Sequence, residues 1–144
     1  MADQNKPRLL IVALTIQLSY IGMSVIWNLI GVGLIDVGQQ PLGASASVTV
    51  VAVMLAVAVL IALSANRVRW LYASASGILA LGCLSAIYTA FTGATELWPS
   101  NYFRVFGALI NVLGLIGFAL ACRVIFSAPL NLSAPLNFSA SVKE

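Results

Sequence analysis

Residues 9–35 read LLIVALTIQLSYIGMSVIWNLIGVGLI, an apolar run that contains no charged side chain. A helix needs about 20 mainly apolar residues to cross the roughly 30 Å hydrocarbon core of a bilayer. The apolar core of a cleaved signal peptide is shorter, at about 7–15 residues. The run therefore predicts a membrane-spanning α-helix that remains part of the protein.

Three more apolar segments follow, separated by short stretches that are rich in glycine, proline and polar residues. They cover residues 46–63, 70–91 and 103–125. Helices that are joined by short links pack as antiparallel neighbours. We therefore predict an all-α, polytopic membrane protein, in which residues 1–126 form an up-down bundle of four transmembrane helices.

The stretch after the fourth segment has a different character. It contains a tandem repeat, SAPLNL at residues 127–132 and SAPLNF at residues 133–138. The prolines at positions 129 and 135 oppose a continuous helix. A short repeat of this kind predicts a flexible tail over residues 127–144.

The overall composition also points to lipid as the solvent of this chain. Hydrophobic residues make up 61% of the sequence and charged residues only 8%. A soluble domain is usually about one quarter charged. Because so few charges cannot cover a surface that faces water, we expect the bilayer to be the first partner of this protein.

Lysine and arginine are unevenly distributed between the two ends of the predicted bundle, and they favour the cytoplasmic side of a membrane. The end that holds both chain termini carries Lys6, Arg8, Arg67, Arg69, Arg123 and Lys143. The other end carries only Arg104. We therefore expect both termini to lie in the cytoplasm. We expect the membrane itself to be a plasma membrane or an inner membrane.

The first segment carries a polar stripe of Gln17, Tyr20, Ser24 and Asn28. Their spacing of three or four residues places them on one face of a helix. Such a face should point away from lipid, and Asn111 in the fourth segment is its expected polar partner. Hydrogen bonding between helices is one interpretation of the stripe, and a polar pathway or small-molecule pocket is the other.

Small residues recur at intervals of four in other segments, as in Ala52 and Ala56 of the second and Ala73 and Gly77 of the third. This spacing indicates close helix packing, either within the chain or between copies. The aromatic rings at the start of the third segment, including Tyr72, are expected at the membrane interface.

Three charges fall at the end of the bundle away from the termini, namely Asp36, Glu96 and Arg104. Arg104 lies near the start of a helix, where the helix dipole disfavours a cation. We expect this outer charged cluster to form a local ion pair. A binding site for an anionic headgroup or partner is the alternative.

The chain shows no pattern of residues that would support catalysis or cofactor binding. It has no histidine, which removes the commonest general base and metal ligand. Cys83 and Cys122 should lie at depths about 15 Å apart, so both are expected to be free thiols. The basic residues are scattered, which does not support nucleic-acid binding. We therefore expect no catalytic residues, no metal and no cofactor.

Two hypotheses about function remain at this stage. The first is a non-enzymatic interaction protein, an accessory or assembly subunit of a membrane complex, whose partner is another membrane protein or a second copy of this chain. The second is a small oligomeric transporter or channel that uses the polar stripe. The lack of an ionisable group deep in the predicted membrane region favours the first, because coupled ion transport usually requires one.

Overall fold

The computed structural model describes residues 5–127, and the predicted tail over residues 128–144 lies outside this range. The chain forms four α-helices in this range: α1, Asn5–Asp36; α2, Val48–Ser64; α3, Arg69–Thr92; and α4, Asn101–Phe126. A short 3-10 helix, Thr95–Leu97, precedes α4. The prediction of an all-α fold with four helices is confirmed. The 3-10 helix was not predicted.

Three of the four helices, α1, α3 and α4, are long and apolar enough to cross a membrane. The remaining helix, α2, is apolar but has only 17 residues. At about 1.5 Å per residue it is about 25 Å long, which is less than the roughly 30 Å of a hydrocarbon core.

The boundaries of the helices follow from local chemistry. α1 ends just before Gly38, which adopts the left-handed backbone conformation with φ of 75°, a conformation that glycine accepts without steric strain. α2 begins after Ser47, whose side chain accepts a hydrogen bond from the Thr49 amide at 3.1 Å. A serine in this position satisfies one of the free amides at a helix start.

The helices pack in a ring in which each contacts its two neighbours, in the order α1, α2, α3, α4 and back to α1. Sequential helices are antiparallel, so α1 and α3 run in the same direction. We call the end with the α1–α2 loop (37–47) and the α3–α4 connection (93–100) the distal end. The opposite end, where α1 begins and α4 ends, is the proximal end.

Buried apolar side chains from all four helices form one core. Its aliphatic members include Leu10, Ile21, Val57, Ile61, Leu79, Val124 and Ile125. Cys83 is buried in the same core, Cys122 is half-buried, and both are free thiols as predicted. Tyr72 is also part of this core and is only 1% exposed. The expectation that its ring lies at the interface is therefore wrong, because its ring points into the bundle.

Candidate functional site

The polar stripe of α1 faces the inside of the bundle. Gln17, Tyr20 and Ser24 are all buried, and Asn28 near the distal end is half-buried. The stripe therefore divides into a closed proximal part around Gln17 and a more open distal part around Asn28.

Gln17 occupies the centre of the bundle and is 0% exposed. Its Nε2 donates a hydrogen bond to Ser76 Oγ at 3.0 Å, and its Oε1 accepts one from the Tyr72 hydroxyl at 3.1 Å. Both partners lie on α3, so these bonds cross the bundle diagonally. The amide thus bonds through both its nitrogen and its oxygen, and this Gln17 network fills the centre of the proximal half.

The sequence pattern does not indicate that Tyr72 and Ser76 are partners of Gln17. They are four residues apart on α3, so they share one face of that helix. This spacing could have suggested a second polar stripe. Nothing local, however, indicates that this face meets Gln17, which is 55 residues from Tyr72 in the chain.

Tyr20 and Asn111 join α1 to α4 on the distal side of the Gln17 network. The Tyr20 hydroxyl donates to Asn111 Oδ1 at 3.0 Å. Asn111 Nδ2 in turn donates to the Gly107 carbonyl of its own helix at 2.8 Å. The structure thus brings together the first-helix stripe and the asparagine of the fourth helix through a direct hydrogen bond.

Glycines on α4 allow this close packing. A Cβ atom at Gly114 would lie 2.5 Å from Cys83 Sγ and 3.1 Å from the Tyr20 ring. A Cβ atom at Gly117 would lie 2.8 Å from Gln17 Cγ. Contacts this short are not tolerated between real atoms, so glycine at these two positions lets α4 approach both α1 and α3.

Asn28 makes a different kind of contact from the other members of the stripe. Its Nδ2 donates to the Ser24 carbonyl at 2.9 Å, one turn earlier in the same helix. Within residues 5–127 its Oδ1 accepts no hydrogen bond. Asn28 is therefore not used to join helices in the described part of the chain.

A cavity of about 320 Å³, which we call the distal cavity, lies in the distal half of the bundle. All four helices, the α1–α2 loop and the α3–α4 connection contribute to its wall. Among residues 5–127, no charged side chain lines it. The polar and indole groups in the wall are Tyr20, Ser24, Trp27, Asn28, Ser45, Thr89, Trp98 and Asn111. The distal part of the polar stripe therefore borders a space large enough for a small molecule.

Two tryptophans of this wall lie close to Gly107 of α4. A Cβ atom at that position would be 3.4 Å from the Trp98 ring and 3.7 Å from the Trp27 ring. The Trp27 ring also packs against Phe106 of α4, with ring centroids 5.8 Å apart. Trp98 Nε1 is buried without an acceptor among the described residues. The aromatic side of the cavity is thus built by α1, α4 and the connection before α4.

The outer charged cluster is not joined by ion pairs within residues 5–127. The Arg104 guanidinium donates to Asn101 Oδ1, one turn earlier in α4. The contact that involves Glu96 uses its backbone carbonyl, which accepts from Gln40 Nε2 at 2.8 Å. The expected ion pair between Arg104 and a carboxylate is therefore not formed among residues 5–127, where the guanidinium bonds to the Asn101 amide oxygen instead.

The described residues contain no group of three or more metal-ligating side chains. The comparisons add no assignment of family or function, since neither a protein-family model, a curated protein nor a solved structure matches the chain. The class that the structure itself defines is an all-helical bundle with three helices suited to membrane spanning.

Proposed function

We propose that the chain is a four-span integral membrane protein that serves as a non-enzymatic accessory or assembly subunit of a larger membrane complex. The observation that carries this proposal is the closed Gln17 network. Gln17 and Ser76 are 0% exposed and hydrogen-bonded to each other. Within residues 5–127, the bonded side chains of Gln17, Tyr72 and Ser76 therefore occupy the centre of the bundle where a polar path would have to pass.

Four crossings are supported by the direction of the helices. α1 and α3 are both long enough to span, and they run side by side in the same direction. The chain must return across the membrane between two such helices, and α2 is the segment that connects them. α2 is a few ångströms shorter than the hydrocarbon core is thick, and local thinning of the bilayer can accommodate this difference.

The bias of lysine and arginine supports an orientation with the proximal end in the cytoplasm. Arg8, Arg67, Arg69 and Arg123 belong to that end, whereas Arg104 belongs to the distal end. Positively charged residues favour the cytoplasmic side. We therefore propose that both termini are cytoplasmic and that the membrane is a plasma membrane or a bacterial inner membrane.

A surface for the partner is available on α2. Ala52 and Ala56 are both exposed on this helix, so their small side chains are not used to pack helices within the described bundle. Small residues let the backbone of another membrane helix come close. The exposed alanines are the feature of the surface that favours a protein partner over lipid alone.

The test is to extract a tagged full-length chain gently from its own membrane and to weigh the assembly by native mass spectrometry. We expect a second membrane protein at fixed stoichiometry. We expect the double variant Ala52→Leu/Ala56→Leu to lose this partner protein. The control variant Ala62→Leu changes an exposed position on another side of α2 and should keep the partner. Recovery of the chain alone, in any oligomeric state, would argue against the accessory role.

A small oligomeric transporter or channel is the second candidate, and the distal cavity favours it. Tyr20, Ser24 and Asn28 of the stripe line that cavity, which provides half of a polar pathway. The other half would have to form between copies, since the Gln17 network closes the bundle. Flux into liposomes that is abolished by Gln17→Leu/Asn28→Leu in a folded protein would support this candidate, and unchanged flux would remove it.

A further inference from the structure

The distal cavity is a built space and not a gap left at the surface of one helix. Its proximal boundary lies at the Tyr20–Asn111 hydrogen bond, with the fully buried Gln17 one turn further on. At its distal end it is bordered by the loop residues 43–45 and by Trp98. Its volume of about 320 Å³ falls at the lower end of the roughly 300–1,000 Å³ typical of small-molecule sites.

The cavity is open on one side. On α2, Val50 in its wall is 41% exposed, and on α3 the wall residues Gly82, Ala86 and Thr89 are exposed. These residues line the cavity and are also exposed at the surface of the bundle. Because they belong to two neighbouring helices, the cavity opens between α2 and α3. A molecule can therefore enter from the side of the bundle without the Gln17 network being disturbed.

The lining restricts the charge of an occupant. It contains no lysine, arginine, aspartate or glutamate. An ion that enters such a space loses its hydration without gaining a counter-charge, which is costly. A molecule that suits the distal cavity is therefore uncharged.

The lining also calls for a hydrogen-bonding group on the occupant. Asn28 Oδ1 accepts no bond from residues 5–127, and an amide nitrogen carries two hydrogens, of which Asn111 Nδ2 uses one on the Gly107 carbonyl. The wall thus offers Asn28 Oδ1 as an acceptor and the second hydrogen of Asn111 Nδ2 as a donor. The buried Trp98 Nε1 is a further donor, and the hydroxyls of Ser24, Ser45 and Thr89 also line the cavity. The rest of the wall is aromatic or aliphatic, with Trp27, Met54 and Ile110 as examples.

We propose that the distal cavity binds a small, uncharged amphiphile that has an apolar or aromatic body and a polar group such as a hydroxyl. Its body lies against the tryptophan side of the cavity. Its polar group reaches the amides of Asn28 and Asn111. This site is independent of the accessory role, because binding requires only the bundle itself.

The test uses full-length protein in lipid nanodiscs with Trp70→Phe, so that the remaining tryptophans, Trp27 and Trp98, both line the cavity. The probe is 4-bromobenzyl alcohol, whose bromine quenches tryptophan fluorescence. Its charged counterpart, 4-bromobenzoate, has a similar size. We expect saturable quenching by the alcohol, and only weak quenching that rises linearly with concentration by the benzoate.

A matched pair of glycine variants on α3 locates the site. A Cβ atom at Gly82 or at Gly77 would meet nothing within 4 Å, so neither substitution creates a clash at that atom. Only Gly82 lines the cavity. Gly82→Leu should therefore weaken binding of the alcohol by about tenfold or more, which corresponds to about 1.4 kcal/mol, while Gly77→Leu leaves it unchanged.

A second variant tests the polar contact without filling the cavity. Asn28→Ala removes the free Oδ1, and the only side-chain bond it breaks lies within α1. It should weaken the binding of 4-bromobenzyl alcohol. The binding of 4-bromotoluene, which lacks the hydroxyl, should not change. The proposal is overturned if quenching is linear in the parent protein, if the benzoate saturates equally well, or if Gly82→Leu and Gly77→Leu behave alike.

Discussion

Gln17 shows how a single polar side chain can fix the arrangement of several membrane helices. Its amide bonds to Tyr72 and Ser76 of α3, and its Cγ leaves room for nothing larger than glycine at position 117 of α4. Inside an apolar bundle these hydrogen bonds have no competing water. The residue therefore sets the rotation of α1 relative to two other helices.

Replacing Gln17 with leucine should destabilise the bundle by about 1–3 kcal/mol, because two buried hydroxyl groups lose their partner. Unfolding in mixed micelles of mild detergent and dodecyl sulfate would measure this change. Asn28→Leu is the control, since its bond lies within one helix, and it should cost clearly less.

A double-mutant cycle would separate the hydrogen bond from general packing. Gln17→Leu combined with Ser76→Ala should show a coupling free energy of about 0.6 kcal/mol, the average for hydrogen bonds between membrane helices, and at most about 1.7 kcal/mol. Strictly additive effects would mean that the bond between these residues contributes nothing to stability.

Gly114 should be similarly intolerant of a side chain. Gly114→Ala would press its Cβ against Cys83 Sγ and the Tyr20 ring, and overpacking of this kind typically costs about 1–3 kcal/mol. Gly107→Ala on the same helix is the matched control. Its nearest contact would be an ordinary 3.4 Å, so it should be neutral in the same unfolding assay. Equal stability of the two variants would contradict the packing described here.

At the scale of elements, α2 is the unusual helix. Its 17 residues make it the shortest of the four, and its exposed surface combines large apolar residues such as Val53 and Leu55 with small ones. The end of the α1–α2 loop packs tightly against α1, where a Cβ atom on Gly31 would lie 2.6 Å from Ala46 Cβ. This contact anchors the entry of α2 against α1.

Cysteine labelling would test whether α2 crosses the membrane. In a background without Cys83 and Cys122, we expect Gln39→Cys in the α1–α2 loop to react with an impermeant maleimide in intact cells. Asn66→Cys, between α2 and α3, should react only after lysis. Both positions are exposed, so the difference in labelling reports the side of the membrane. Labelling of both before lysis would exclude a crossing by α2.

At the scale of the whole molecule, large apolar side chains cover much of the surface, while polar side chains such as Gln17 and Ser76 are buried beside the apolar core. Leu81 near the middle of α3 is 68% exposed, as are many other large aliphatic residues of the surface, including Ile26, Val53, Ile78 and Leu109. This is the reverse of a water-soluble fold, and it suits a bundle whose solvent is hydrocarbon.

Leu81→Arg is therefore expected to impair membrane insertion, since an arginine at the centre of a spanning helix costs about 2.5–3.5 kcal/mol on the insertion scale. Trp70→Arg, at the proximal end of the same helix and 70% exposed, should be tolerated. Membrane insertion of the two variants can be measured as the fraction of protein that resists alkaline extraction from membranes. Normal insertion of Leu81→Arg would argue that this face of α3 is not in contact with lipid.

The sequence by itself determined the helices of this protein and the apolar character of their surface. The helices form where the apolar runs were found, because a hydrophobic segment of that length satisfies its own backbone hydrogen bonds as a helix. The inward orientation expected for Gln17 and Tyr20 follows from the same local chemistry, since a polar side chain avoids lipid.

Only the tertiary structure decided which faces meet. The bond from Gln17 to Ser76 joins positions 59 residues apart, and the distal cavity needs parts of all four helices. These helices are apolar on most sides, so their hydrophobic pattern does not specify their rotation about their own axes. That rotation depends on where glycines allow close approach and where buried polar atoms find partners, and both are properties of the assembled bundle.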